Sequence, residues 1–230
     1  MKFLEIARKD IKAEFRTKQM LNSMMIFALL VIVIFYYAFG NEASILVQSI
    51  DKKVVDLLAP GMLWITFTFA GMLGLSRSFA GETEEGCLEG LKLCPVDRAE
   101  IYNGKVLSNA VLMFLMEIAA IAAFIFLFSY FDIKNIAGLI LVVVLGTFGF
   151  IFVGTLLSAL TVNTRMRELL LPVILFPVLF PLIQNAVTAT GIMLTSGEIS
   201  DIAGELQILA AYDIIFFIVA QLVFEYTIED

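Results

Sequence analysis

Apolar residues come in six long runs along this chain, and short polar stretches separate them. The runs are Leu21 to Phe39, Leu58 to Ala80, Val106 to Phe131, Ile136 to Val162, Leu169 to Thr190 and Leu206 to Ile228. A bilayer's hydrocarbon core is about 30 Å thick and takes about 20 helical residues to cross, so each run suffices for one crossing. Charged or Gly/Asn-rich punctuation bounds every run, as expected where a helix leaves lipid. The pattern predicts an all-α integral membrane protein of six transmembrane helices, forming a single domain over residues 1–230.

Two stretches outside the runs carry helical patterns of their own. In residues 1–18, Leu4, Ala7, Ile11 and Phe15 fall on one stripe, with Lys2, Lys9, Lys12 and Arg16 elsewhere around the helix. That spacing predicts an amphipathic interfacial helix on the inner membrane surface, its basic side chains near anionic lipid headgroups. Glu5 with Lys9, and Glu14 with Lys18, are spaced to support it. The charges before the first run, and the lack of an A-x-A-like site after it, argue against a cleavable signal peptide. Residues 81–105 hold the second pattern. Between Glu82 and Leu93, Glu82, Glu85 and Glu89 share one face while Cys87, Leu88 and Leu91 lie towards another, and Pro95 ends the helix;. This predicts a short amphipathic helix outside the bilayer, between spans two and three.

Composition agrees with lipid as the solvent. Sixty per cent of the 230 residues are apolar and 16% are charged, with a mean hydropathy of +0.96; too little polar surface exists to wrap a soluble globule. The net charge of -7 decides little, because orientation follows Lys and Arg rather than net charge. With the N-terminus inside, twelve of the 15 basic residues fall on inner segments, and only Lys52, Lys53 and Lys134 on outer ones. Both termini are therefore expected in the cytoplasm. The acidic face of residues 82–89 would be repelled by anionic lipid, which favours a protein partner with basic residues. Nothing in the chain suggests a nucleic-acid partner.

The chemistry on offer is sparse. Histidine is absent, which removes the commonest metal ligand, haem ligand and general base. Cys87 and Cys94 are seven residues apart, in neither redox nor zinc spacing. Gly104-Lys105 lacks the upstream glycine and following hydroxyl of a phosphate-binding P-loop, so any ATP would be hydrolysed by another chain. No catalytic residue and no metal site are visible. Charges inside spans are costly, which singles out Glu117 in the third span and Asp213 in the sixth as buried structural or coupling contacts. Small residues recur at four-residue spacing, Ala70, Gly74 and Ser78 on the second span and Gly154 with Ser158 on the fourth. They permit close helix approach, within the chain or across a dimer. Pro172, Pro177 and Pro181, followed by Gln184 and Asn185, predict a kinked fifth span. The acidic loop Gly191 to Glu205 is a candidate for a short, partly re-entrant segment.

The cytoplasmic pattern Glu85-Gly86, Leu88-Glu89, Leu91, Cys94-Pro95-Val96-Asp97-Arg98 and Gly104-Lys105 resembles membrane subunits of ABC-2-type ABC transporters. Further segments narrow the resemblance: Leu58-Ala-Pro-Gly-Met-Leu-Trp64, Phe69-Ala-Gly71, Arg77-Ser-Phe79, Gly154-Thr-Leu-Leu-Ser-Ala159, Arg165 with Arg167-Glu168, Leu171-Pro172, Phe176-Pro177 and Phe224-Glu-Tyr226. Together these are similar to the CcmB family, the permease-like subunit of the cytochrome c maturation complex. The resemblance implies a non-enzymatic permease-like subunit in a prokaryotic inner membrane. Its partners would be a CcmA-like ATPase, CcmC-like and CcmD-like membrane proteins and the haem chaperone CcmE, with two copies of the chain matching an ATPase dimer. ATP hydrolysis would drive release of the haem-loaded chaperone. It further implies that Glu85, Gly86, Leu88, Glu89, Leu91, Pro95 and Arg98 couple to the ATPase, and that Lys105 marks the start of the third span. No cofactor is expected on the chain itself, with haem and ATP handled by partner subunits. The rival readings are an ABC-2 exporter of a drug, lipid or polysaccharide, and a membrane assembly protein with no ATPase.

Overall fold

The computed structural model describes residues 2–40, 52–78, 97–128, 135–161, 164, 167–195 and 197–227. Among these residues seven α-helices follow one another and no strand occurs: α1 (Lys2–Thr17), α2 (Gln19–Phe35), α3 (Lys52–Ser78), α4 (Arg98–Phe128), α5 (Ile136–Thr161), α6 (Arg167–Thr195) and α7 (Ala203–Thr227). A π-helical turn, Tyr36–Gly40, continues α2, and a 3-10 turn, Ile199–Ile202, leads into α7. Helices α2 to α7 each carry a stretch long and apolar enough to cross a membrane. The chain is a multi-pass membrane protein.

The helices outrun the apolar runs that announce them. Helix α3 reaches back to Lys52, α4 begins at Arg98 rather than near Val106, and α6 continues to Thr195. Hydropathy marks only the hydrocarbon-deep part of a helix. Backbone hydrogen bonding continues into the headgroup region, where polar side chains are at no disadvantage. Lys105, just before the third apolar run, lies inside α4, and the described residues of the stretch 191–205 form the end of α6, a 3-10 turn and the start of α7. Asp201 Oδ2 accepts the Glu198 backbone N–H at 2.8 Å at that turn.

Helix α5 is the hub, packed against α3, α4, α6 and α7, while α2 covers α3 and α4. Its glycines explain how it takes so many neighbours. A Cβ at Gly138 would lie 2.2 Å from Met193 Sδ, one at Gly146 2.1 Å from Trp64 Cη2, and one at Gly154 2.2 Å from Leu75 Cδ1. Each glycine is a seat for a side chain from another helix. The outer surface is apolar in its turn: Ile26, Val173, Phe180, Ile214 and Leu222 are all exposed, as lipid-facing residues must be. Helix α6 shows the division plainly. Leu171, Leu175, Leu179, Leu182 and Ala186 are buried along one side, and Pro177 and Pro181 lie on the exposed side of an unbroken helix.

Candidate functional site

At the end of the bundle where α3 stops and α4 starts, polar groups join four helices. The last carbonyls of a helix have no partner within it and must be satisfied from outside. In α3 two of them are: Ser158 Oγ of α5 donates to Leu75 O at 2.6 Å, and Lys105 Nζ of α4 donates to Ser78 O at 3.1 Å. A cation is also the favoured partner for the negative end of a helix dipole. The Ser78 hydroxyl donates to Asn109 Oδ1 at 2.9 Å, and Asn109 Nδ2 donates to Thr155 Oγ1 at 3.1 Å.

Lys105 is 3% exposed, and its charge is met by a carboxylate from α1, with Asp10 Oδ2 3.0 Å from Nζ. Beside this pair the two helices touch at Gly104. A Cβ there would sit 2.8 Å from Ile6 Cβ and 3.0 Å from the Phe3 carbonyl oxygen, so only glycine lets α1 lie so close. The side of α1 turned to the bundle runs through Phe3, Ile6, Ala7, Asp10, Ile11 and Glu14, and it shares Ala7 and Ile11 with the apolar stripe. Leu4 and Phe15 remain exposed while Ala7 is buried. The reason is polar satisfaction: a buried Lys105 needs an acid, and Asp10 is a turn beyond Ile6. Glu14 likewise turns towards the next helix, where its Oε1 accepts the Leu21 N–H at 2.8 Å. That amide lies at the start of α2, whose N-cap, Lys18, is in the left-handed region with φ 55° and makes no side-chain cap. Glu14 does the capping from a distance.

Of the ATPase-coupling candidates, Arg98 opens α4 and is half-buried. Glu85, Gly86, Leu88, Glu89, Leu91 and Pro95 lie outside the described residues. They fall in the chain between Ser78, the end of α3, and Arg98, the start of α4.

The two acids within the spans occupy separate places. Glu117 is 1% exposed, and its Oε1 accepts the Thr147 hydroxyl of α5 at 2.7 Å. The carboxylate of Asp213 in α7 rests on Gly149, where a Cβ would come 2.5 Å from Oδ1. Thr147 and Gly149 are two residues apart on α5, about 200° around a helix of 3.6 residues per turn. The acids thus lie on opposite sides of the hub and do not form one pair. Glu117 Oε2 and Asp213 Oδ1 have no hydrogen-bond partner among the described residues. Beside Thr147, the indole of Trp64 fills the Gly146 seat and donates Nε1–H to Thr190 Oγ1 at 2.9 Å.

The small-residue candidates are spent inside the chain. Ala70 is fully buried, and Gly74 faces α2, where a Cβ would lie 2.5 Å from Met24 Sδ. Ser78, Gly154 and Ser158 hold the end of α3 as described. No group of three or more His, Cys, Asp or Glu residues that could hold a metal occurs among the described residues.

Asp10, Asn109, Thr147 and Gly146 are the participants that pattern reading passed over. Asn109, polar within an apolar run, was the detectable signal. Asp10 was hidden among the charges of an amphipathic helix.

The model of the CcmB protein family matches residues 1–229. Among curated proteins, the chain is 27% identical to the heme exporter protein B of Haemophilus influenzae over 92% of this chain and 90% of that one. It is 26% identical to the protein of the same name in Pseudomonas aeruginosa, over 79% and 77% respectively. With the Escherichia coli K12 protein of that name the identity is 28% over 47% of this chain and 46% of the other.

Proposed function

The chain belongs to the CcmB family, and from that premise we propose that it is the membrane subunit of an ABC-type haem exporter complex serving cytochrome c biogenesis. A family match from residue 1 to residue 229 carries this reading, because it covers all six apolar spans and not one motif. The names of its relatives point to haem export. In this reading the chain is a non-enzymatic, permease-like subunit of a prokaryotic inner membrane, with both ends in the cytoplasm.

A CcmA-like ATPase binds the acidic helix expected around Glu85 and Glu89, in the chain between the end of α3 at Ser78 and the start of α4 at Arg98. CcmC-like and CcmD-like proteins and the haem chaperone CcmE complete the complex, with two copies of this chain facing two ATPase subunits. Haem is cargo, carried by a partner. A chain with no histidine lacks the usual axial ligand, which favours moving a haem-bearing partner over gripping haem.

The test is co-purification from native membranes. The tagged chain should retain a P-loop ATPase, and Glu85→Lys with Glu89→Lys should release it. A wild-type chain that never retains an ATPase, or a double variant that retains it in full, would count against the proposal.

A further inference from the structure

We propose that Asp10, Lys105 and Asn109 are positioning residues of a transmission joint, which carries displacement at the end of α3 into the surface helix α1 and the hub helix α5. The inference rests on the reading that the segment after Ser78 receives the ATPase; what it adds is the route by which the bundle feels that event.

Three observations support it. First, one ion pair and three hydrogen bonds form a continuous path. Asp10 meets Lys105 at 3.0 Å, Lys105 meets the Ser78 carbonyl at 3.1 Å, the Ser78 hydroxyl meets Asn109, and Asn109 meets Thr155 of α5. Second, the path passes through the last residue of α3. Any pull on the chain beyond Ser78 acts on a carbonyl held by Lys105 and a hydroxyl held by Asn109, and both holders lie on α4. Third, stability alone is a poor reason for such a device. A buried ion pair recovers in mutual attraction about what it loses in desolvation, and well-packed apolar residues commonly do as well. Apolar contact is already available at this place, since Ile6 lies directly on Gly104. What a charged pair adds is a contact of fixed geometry that either holds or breaks, the kind of element a two-state mechanism uses.

Tight packing makes the joint effective. Gly104 leaves no slack between α1 and α4, and Gly154 leaves none between α5 and Leu75 of α3. A movement of α3 relative to α4 must therefore be followed by α1 and α5 or break the path.

The experiment uses the intact complex with its ATPase. Three quantities are measured for each variant: the amount of chain, the ATPase retained per chain, and the mature c-type cytochrome formed per ATP hydrolysed. Asp10→Asn should retain chain and ATPase to within about twofold, while cytochrome per ATP falls by about tenfold or more, a typical coupling loss. Asp10→Glu, which keeps a carboxylate for Lys105 and leaves the Lys105–Ser78 bond untouched, should recover most of it at the same amount of chain. If Asp10→Asn does not accumulate, Asn109→Ser is read instead, because it shortens the path without stranding a buried charge. The joint is refuted if the accumulating variant makes wild-type cytochrome per ATP, or if its loss of output merely follows loss of chain. A wild-type chain with no ATPase would instead refute the functional reading beneath it.

Discussion

Adding a single methyl group at Gly146 should destabilise the fold measurably, and the structure says by how much. An alanine Cβ there would lie 2.1, 2.8 and 3.0 Å from three ring carbons of Trp64. Non-bonded carbons prefer about 3.5 to 4.0 Å, so the ring must retreat by more than an ångström. It has little room to do so, being 3% exposed and tied to Thr190 through its indole N–H at 2.9 Å. Overpacking a closed site costs about 1–3 kcal/mol, and an interhelical hydrogen bond within a membrane adds about 0.6 kcal/mol, for about 2–4 kcal/mol in all. At 1.4 kcal/mol per factor of ten, the folded population should fall relative to the unfolded by about 30-fold or more. Trp64 is the only tryptophan in the sequence, so its emission during SDS titration in mixed micelles reports the transition directly. Gly61→Ala is the matched control: it lies in α3 with nothing within 4 Å of the added methyl, and should be neutral or gain about 0.5–1 kcal/mol from helix propensity. Trp64→Phe in the Gly146→Ala background should recover part of the loss, followed by circular dichroism because the reporter is gone. Unfolding of Gly146→Ala at the wild-type SDS fraction, with unshifted Trp64 emission, would refute the packing argument.

Other contacts support shorter statements. Thr147→Val removes the donor to the buried Glu117 carboxyl and should cost about 1–3 kcal/mol in the same titration, whereas Thr147→Ser should match wild type; equal losses for both would mean the hydroxyl is not the cause. Gly104→Leu should lift α1 from α4, and trypsin applied to inside-out vesicles should then cut faster after Arg8, Lys9 or Lys12, while a wild-type cleavage rate would place α1 elsewhere. Orientation is open to thiol labelling in a cysteine-free background: Ser200→Cys should react with an impermeant reagent from outside whole cells and Thr17→Cys should not, and the reverse pattern would invert the topology.

Hydropathy found the six spans because crossing lipid imposes one demand, apolar length, that any sequence must display. It placed their ends poorly, because a helix needs no apolar residues once it reaches the headgroups; hence α4 starts at Arg98 and Lys105 is interior. Residue contacts between helices were legible only where they leave a mark on composition. Gly154 and Ser158 did so, through their four-residue spacing. Gly146 and Gly149 did not, because the positions four residues on hold Phe150 and Val153 instead of small residues. Glu117 and Asp213 stood out as charges in lipid, but the partner of Glu117 is a threonine, a residue type too common in spans to attract notice. Asp10 and Glu14 were the least visible of all: their roles depend on which side of α1 meets α4, and a helix with two candidate faces does not announce its choice.

The prolines of α6 give that helix a preferred direction of bending. Pro177 has no amide hydrogen for the Val173 carbonyl and Pro181 has none for that of Pro177, and both prolines face outwards, so two rungs of the ladder are missing from the wall away from the core. A helix weakened on one wall opens there and shortens opposite. Flexing α6 would thus bow its middle outwards and swing its two ends towards the hub, with the hinge at the prolines.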